Sequence, residues 1–147
     1  MLIVLEGCDG SGKTTIANNL KAIMPNAEII HCTAETPNDF DFFKHLILAS
    51  KERDIIADRF CYGQFVYQAP EERHLTPEEL TVLEVGMLSA GAKVIHVTAP
   101  VDTLKNRLSW RNEEPMWSVE SITRRYCDLF ERTLIKPYLW WTGSDTD

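Results

Sequence analysis

Apolar and polar positions alternate along the chain in two patterns. Short continuous apolar runs bounded by turn residues predict buried strands at residues 2–5, 28–33, 54–57 and 93–98, and a fifth strand at 138–142. Between these runs, apolar residues recur at helical spacing, as at Ile16, Leu20 and Ile23. The pattern predicts helices after the first strand, at 40–49, from residue 60, after Thr76, at 101–110 and at 118–134.

Strands that alternate with helices predict a parallel sheet with crossover helices. We therefore expect an α/β fold with three layers, α/β/α, around a parallel sheet of about five strands. The length of 147 residues suits a single domain spanning residues 1–147. Trp140 and Trp141 are expected in the last strand and in the core.

The composition is that of an ordinary globular protein, with 44% hydrophobic and 25% charged residues. A formal net charge of −7 does not favour a nucleic acid polymer as a partner. The four cysteines form no C-x-x-C pair, which favours reduced thiols over a disulfide framework or a zinc site. No run approaches the ~18 apolar residues of a transmembrane helix, and the first residues lack the basic region of a signal peptide. We expect a cytoplasmic protein with no membrane contact.

The segment after the first strand carries the candidate chemistry. Gly7-x-x-x-x-Gly12-Lys13-Thr14 fits the pattern G-x-x-x-x-G-K-[ST] and lies between a strand and a helix, the context that this motif requires. Its glycines let backbone N–H groups approach the β-phosphate of a nucleotide. Lys13 is expected to bridge the β- and γ-phosphates, and the Thr14 hydroxyl to ligate Mg²⁺. Asp58, after the third strand, is expected to hold a magnesium-bound water, with a strand-end cap as the alternative.

Proteins with this ATP- or GTP-binding motif fall into classes that differ in the acceptor of the phosphoryl group. A GTPase would carry an N-K-x-D guanine-binding motif, and the sequence has none. A kinase needs additional cations, because donor and acceptor phosphates repel one another. Arg59 follows the third strand at the edge where ligands of open α/β sheets bind. Arg107 and Arg111 lie four residues apart on one helix face and predict a mobile lid around residues 107–117.

Three elements of the sequence together carry a family resemblance. They are Glu6-Gly-x-Asp9-Gly-x-Gly-Lys-Thr-Thr15, then Asp58-Arg59-Phe60 with Tyr67-Gln68, and then Leu104-x-x-Arg107-x-x-x-Arg111. In this combination the chain resembles the thymidylate kinase family over most of residues 1–130. The resemblance implies the P-loop kinase fold and ATP-dependent phosphorylation of a deoxynucleoside monophosphate, typically dTMP, with Mg²⁺ as cofactor.

The resemblance also implies roles for individual residues. Asp9 faces the sugar 3′-OH and the magnesium shell, Arg59 holds the acceptor phosphate, and Gln64 lies by the base and sugar. Tyr67 lies under the sugar 2′ position. An aromatic ring stacks on the base, and Phe43 is the first candidate for this ring, with Phe40 as the second. The implied catalytic residues are Lys13, Arg59, Arg107 and Asp9. The implied ATP-binding residues are Gly7, Asp9, Gly10, Ser11, Gly12, Lys13, Thr14, Thr15, Arg107 and Arg111. The expected metal ligands are Thr14 and Asp58.

The chain departs from the family pattern in three places. The connection between strands two and three lacks the usual E-P-G-G-type segment and a base-reading arginine. Gly63 stands where a serine is common. The chain is also shorter than the family's members and ends at or just after strand five, so we expect an incomplete adenine pocket. The preferred base therefore stays open.

Two other functions stay open as well. A deoxynucleoside kinase would need a general-base carboxylate, for which Glu35 and Asp39 are available, whereas Arg59 with Tyr67-Gln68 favours a phosphate acceptor. A regulatory protein would bind ATP without turnover. The expected partners are ATP and a deoxynucleoside monophosphate, with a homodimer left open.

Overall fold

A parallel sheet forms the centre of the chain. The computed structural model describes residues 1–33, 36–110 and 118–143. Its strands are β1 (Leu2–Glu6), β2 (Glu28–His31), β3 (Ile55–Asp58), β4 (Lys93–Thr98) and β5 (Tyr138–Trp141). They pair in the order β2-β3-β1-β4-β5, and every pair is parallel. All residues of the central strand β1 are buried, as its continuous apolar run predicts. The predicted sheet is confirmed.

Helices connect the strands, and polar caps fix where several of them begin. The described helices are α1 (Lys13–Ile23), α2 (Phe40–Ala49), α3 (Gln64–Tyr67), α4 (Pro77–Ser89), α5 (Val101–Trp110) and α6 (Val119–Arg132). The Asp39 side chain accepts a hydrogen bond from Phe42 N at 2.9 Å and caps α2. Thr76 and Glu79 form a reciprocal capping box at the start of α4. Within the described residues, none of these helices has the length and apolar character needed to cross a bilayer.

The sheet carries helices on both faces, in unequal numbers. On one face, Ile16 and Ala17 of α1 pack against Ile3, Leu5 and Ile56 of the sheet. The other face carries the larger core, to which α2, α4, α5 and α6 all contribute buried side chains. The predicted three-layer α/β/α arrangement is therefore confirmed.

Residues 60–68 form a shorter helix than the sequence predicts. A single 3₁₀ turn at Cys61–Gly63 comes first, and α3 spans only Gln64–Tyr67. Phe60 is not helical, with φ −148° and ψ −149°, and its backbone N–H donates to the buried carboxylate of Glu6 at 2.9 Å. Because this bond holds Phe60 outside the helical conformation, the helical segment begins only after it.

The last strand differs from the prediction in its burial. It pairs with β4 as expected, but Trp140 and Trp141 are 52% and 57% exposed. The prediction that these two residues belong to the core is wrong. An edge strand has a neighbour on one side only, and all residues of β5 are exposed.

The carboxyl ends of three neighbouring strands bring the predicted site residues to one edge of the sheet. In the strand register, Asp58 of β3 lies opposite Leu5 of β1 and His31 of β2. The glycine-rich loop leaves β1 at the same edge, and Arg59 follows β3 directly. Ligands of open α/β sheets bind at this edge, so the candidate functional site lies here.

Candidate functional site

The loop between β1 and α1 has a backbone that favours glycine at specific positions. Gly10 and Gly12 have φ angles of +82° and +104°, which L side chains rarely adopt. At Gly7 the constraint is a close approach, because an added Cβ would lie 2.1 Å from the carbonyl oxygen of Val97 in β4. The loop therefore keeps its position against the sheet only with glycine at these sites.

Lys13 is the first residue of α1, and its side chain folds back over the loop. Its Nζ donates to the carbonyl oxygens of Gly7 and Cys8 at 2.8 and 3.1 Å. Burial lowers the pKa of Lys13, and the charge of nearby Arg59 lowers it further, whereas neighbouring carboxylates raise it. A phosphate would replace the two carbonyls with charged oxygens and so favour the ammonium form of Lys13.

A cavity of about 190 Å³ opens beside the loop, and we term it the phosphate cavity. It is lined by Asp9, Gly10, Gly12, Lys13, Thr14, Thr15, His31, Cys32, Thr33, Asp58 and Arg59. Most of the predicted loop residues thus surround one opening. Ser11 is fully buried, and its Oγ makes no hydrogen bond within the described residues.

Two protein oxygens suited to Mg²⁺ meet in the phosphate cavity. Thr14 Oγ1 donates to Asp58 Oδ2 at 3.2 Å, and His31 Nδ1 lies 3.1 Å from the same oxygen. Mg²⁺ is usually held by one or two protein oxygens together with water and substrate phosphates, so Thr14 and Asp58 fit this ion. In the part of the chain that the structure describes, no three His, Cys, Asp or Glu side chains gather into a fuller metal site.

Arg59 lines the phosphate cavity and also the second cavity described below. Its φ angle is +68°, a left-handed conformation that is uncommon for residues other than glycine. Its guanidinium forms an ion pair with Asp9 and donates to Tyr67 Oη at 3.3 Å. The guanidinium carbon also lies 4.6 Å from the centre of the Tyr67 ring. The structure thereby brings together three of the predicted site residues.

Glu6 holds the backbone next to Arg59. Its buried carboxylate accepts hydrogen bonds from Phe60 N and from Tyr126 Oη, both at 2.9 Å. Burial raises the pKa of Glu6 from the usual 4.5 to about 7, although both hydrogen bonds favour the charged form. His96 lies opposite in β4, and burial lowers its pKa to about 4, so this ring is neutral at pH 7. The strand before the loop, the Arg59 segment and α6 therefore meet at one carboxylate.

A second cavity of about 110 Å³ adjoins the first, and we term it the aromatic cavity. It is lined by Cys32, Thr33, Asn38, Phe43, Arg59, Phe60, Gly63, Gln64, Tyr67 and Gln68. Four of the residues predicted to bind the acceptor belong to this set, namely Phe43, Arg59, Gln64 and Tyr67. The fifth, Asp9, lines the phosphate cavity instead.

The walls of the aromatic cavity are held by packing and by one side-chain amide. Phe43 is 1% exposed, and its ring meets that of Phe60 edge-on at 4.8 Å. The Gln64 amide donates to the carbonyl of Asn38 and accepts from His74 N at 2.9 Å. Gln64 therefore ties two loops together at the cavity wall.

Arg107 contacts the loop between β1 and α1, which we term the phosphate loop. Its Nη1 donates to Gly10 O and to Thr142 Oγ1, both at 3.0 Å. The Thr142 hydroxyl in turn donates to Ser11 O at 2.6 Å. The residue after β5 and the end of α5 are thus joined to the loop. Arg111 and most of the predicted lid lie outside the described residues.

Three contributors to the site were not predicted, namely Glu6, His31 and Thr142. His31 is the last residue of β2 and lies beside Asp58. The sequence signal that could have identified it is a polar residue at the end of a short apolar run. Glu6 ends β1 in the same way, but its partner Tyr126 is 120 residues away in sequence. Thr142 follows the last strand, and no motif identifies it.

A parallel sheet in the order 2-3-1-4-5, with a phosphate loop between β1 and α1, is the fold of P-loop nucleotide kinases. Among solved structures, the YorR protein of Bacillus subtilis in complex with phosphorylated GDP is similar at 27% identity and a TM-score of 0.79. This match covers 98% of the chain and 87% of YorR. Deoxyadenosine kinase from M. mycoides, solved with bound dATP, shares the fold at 15% identity and a TM-score of 0.55. That match covers 100% of the chain and 93% of the kinase. No family model and no curated protein matches the chain.

Proposed function

We propose that the protein transfers the γ-phosphoryl group of ATP to a deoxynucleoside monophosphate, with dTMP as the foremost acceptor. The observation that carries this proposal is that Arg59 lines both the phosphate cavity and the aromatic cavity. A kinase for monophosphates needs a cation between donor and acceptor phosphates, because the two groups repel one another. The guanidinium of Arg59 supplies that charge at the junction of the two cavities.

The remaining residues divide between the two nucleotides. The loop and Lys13 hold the ATP phosphates, and Arg107 supports the loop from outside through Gly10. Thr14 and Asp58 would hold Mg²⁺, which when bound would supply positive charge beside the phosphate oxygens. On the acceptor side, Asp9 accepts a hydrogen bond from the sugar 3′-OH, while Phe43, Gln64 and Tyr67 surround the base and sugar.

A nucleoside acceptor is supported less well by the described residues. Such a kinase needs a free carboxylate as general base. The carboxylate of Asp39 already accepts a hydrogen bond from Phe42 N as the cap of α2, and Glu35 lies outside the described residues. Because YorR was solved with phosphorylated GDP, guanine nucleotides belong in the acceptor panel beside thymine nucleotides.

The test is a coupled assay of ADP release over nucleosides and nucleoside monophosphates, on the native protein and on Arg59→Ala. The native protein should prefer monophosphates. Arg59→Ala should raise the acceptor KM and lower kcat, with kcat/KM reduced on the order of a hundredfold, while the Kd for ATP changes little. Arg53→Ala is the matched control, because Arg53 precedes the same strand but pairs with Glu28 at the surface.

Two results would overturn the proposal. A preference for thymidine over dTMP would assign a nucleoside kinase. ATP binding without ADP release in the presence of any acceptor would mean that the protein is a regulatory protein that does not hydrolyse or transfer phosphate.

A further inference from the structure

Three arginines lie together on a surface that the proposed reaction does not use. Arg73, Arg125 and Arg132 line a cavity of about 290 Å³ beside α6, and we term this surface the arginine groove. A neighbouring cavity of about 310 Å³ shares Arg73 and Arg132 with it. None of the three arginines lines the phosphate cavity or the aromatic cavity.

The protein itself holds two of these side chains in place. Arg73 Nε donates to the carbonyl oxygens of Gln64 and Gln68 at 3.2 and 3.3 Å, and its guanidinium carbon lies 4.8 Å from the Phe65 ring centre. Arg125 Nη1 donates to Val66 O at 2.8 Å. Because both hydrogen bonds of Arg73 within the described residues use Nε, its terminal N–H groups stay available there for an anion.

The charges in the arginine groove are poorly balanced for a chain with a net charge of −7. Burial lowers the pKa of Arg73, and the nearby charges of Arg125 and Arg132 lower it further, while Glu71 raises it. Asp128 also lines the cavity. Within the described residues, neither Arg73 nor Arg132 forms an ion pair. An anion bound here would relieve the repulsion among the guanidinium groups.

We propose that the arginine groove is a second binding site, for the polyphosphate group of a nucleoside di- or triphosphate. Three guanidinium groups around one opening suit several phosphates better than a single carboxylate, because each planar fork binds two phosphate oxygens. The neighbouring cavity offers apolar walls for the rest of such a ligand, with Phe65, Leu80 and Leu129 among its lining. This site goes beyond the proposed function, since it shares no arginine with the phosphate cavity.

The test is isothermal titration with inorganic tripolyphosphate in metal-free buffer. The native protein should bind two equivalents, one in each site. Arg132→Gln should weaken one of the two by about tenfold, since it removes one charged contact and disturbs only a 3.4 Å bond to Asp128 O. Lys13→Ala should weaken the other equivalent. Arg73→Lys keeps the charge but loses the planar fork, and should weaken the same equivalent as Arg132→Gln.

Arg124→Gln is the matched control, because Arg124 is an exposed arginine of α6 that lines neither cavity. It should bind two equivalents like the native protein, with circular dichroism showing that every variant is folded. The proposal is overturned if the native protein binds a single equivalent that Lys13→Ala removes, or if Arg132→Gln and Arg73→Lys bind like the native protein. Turnover assays are independent of this outcome, so failure of the kinase proposal would leave a second binding equivalent intact.

Discussion

Arg59 adopts a backbone conformation that costs an arginine about 1–3 kcal/mol, and the surrounding residues hold it there. Its own N–H donates to Leu5 O at 2.8 Å, and the next residue, Phe60, donates to Glu6. The position of Arg59 directly after the third strand predicted that this residue would lie at the carboxyl edge of the sheet. It could not predict the left-handed turn, because the next residue, Phe60, is held by a carboxylate 54 residues away in sequence.

Tyr67→Ala is expected to reduce discrimination against ribonucleotides. If the Tyr67 ring packs against C2′ of the acceptor, a 2′-hydroxyl would be buried without a partner. The cost is about 1–3 kcal/mol, or roughly ten- to a hundredfold in kcat/KM. The native protein should therefore prefer dUMP to UMP, and Tyr67→Ala should narrow this ratio mainly by improving UMP. Steady-state kinetics on the two substrates measure it.

Tyr67→Phe is the matched control, since it keeps the ring and removes only the oxygen that accepts from Arg59 at 3.3 Å. This variant should retain the preference for dUMP. Equal kcat/KM values for UMP and dUMP with the native protein would mean that Tyr67 only fills space.

At the scale of elements, the phosphate loop is supported from two directions. Strand β4 approaches Gly7 so closely that no Cβ fits between them. The end of α5 and the residue after β5 hold the other side of the loop through Arg107 and Thr142. The strands and the starts of the helices other than α3 followed from local apolar patterns and caps. The exposure of β5 could not be predicted, because a run of four apolar or aromatic residues is compatible with both an edge strand and a central strand.

Thr142→Val is expected to weaken ATP binding while the fold remains intact. The substitution removes the hydroxyl that donates to Ser11 O at 2.6 Å and accepts from Arg107 at 3.0 Å. Losing one such contact costs about 1 kcal/mol, so the KM for ATP should rise several-fold while the acceptor KM changes less. Thr81→Val is the control, because Thr81 is exposed and, within the described residues, its hydroxyl bonds only to Pro77 O of the same helix. If the KM for ATP is unchanged, this support plays no part in holding the loop.

Across the whole molecule, one buried carboxylate connects segments that are far apart in sequence. Glu6 joins the central strand, the Arg59 segment and α6. Local patterns predicted the individual strands and the glycine-rich loop because each depends on neighbouring residues, and the alternation of strands with helices predicted that the strands pair in parallel. The contact from Tyr126 to Glu6 and the clustering of Arg73 with Arg132 arise only when distant segments pack, so the sequence alone gave no indication of them.

Glu6→Gln is expected to change how stability depends on pH. The folded pKa of about 7 lies above the usual 4.5. The stabilisation from protonated Glu6 is therefore fully present below pH 4.5 and is lost as pH rises through 7. The loss amounts to about 3 kcal/mol. Glutamine stays neutral at every pH in this range. Between pH 4.5 and pH 8, the free energy of unfolding of Glu6→Gln should therefore rise by about 3 kcal/mol relative to that of the native protein. Urea denaturation at each pH measures it.

Glu28→Gln serves as the control, because Glu28 is a surface residue paired with Arg53. It should follow the native pH dependence closely. Parallel curves for Glu6→Gln and the native protein would show that Glu6 is already ionised throughout this range.

The unequal covering of the sheet couples the phosphate loop to the exchange of amide hydrogens with solvent. Within the described residues, α1 alone packs on its face of the sheet, and the first turn of α1 contains Lys13 and Thr14. An opening that frees the amides at the start of α1, such as Ile16 N, which donates to Gly12 O at 3.1 Å, also dismantles the phosphate site. A nucleotide at a hundred times its Kd therefore slows such openings about a hundredfold, equivalent to about 2.7 kcal/mol. Amides that open without disturbing α1, on the far side of the sheet, keep their rates, so deuterium uptake in α1 reports loop occupancy without turnover.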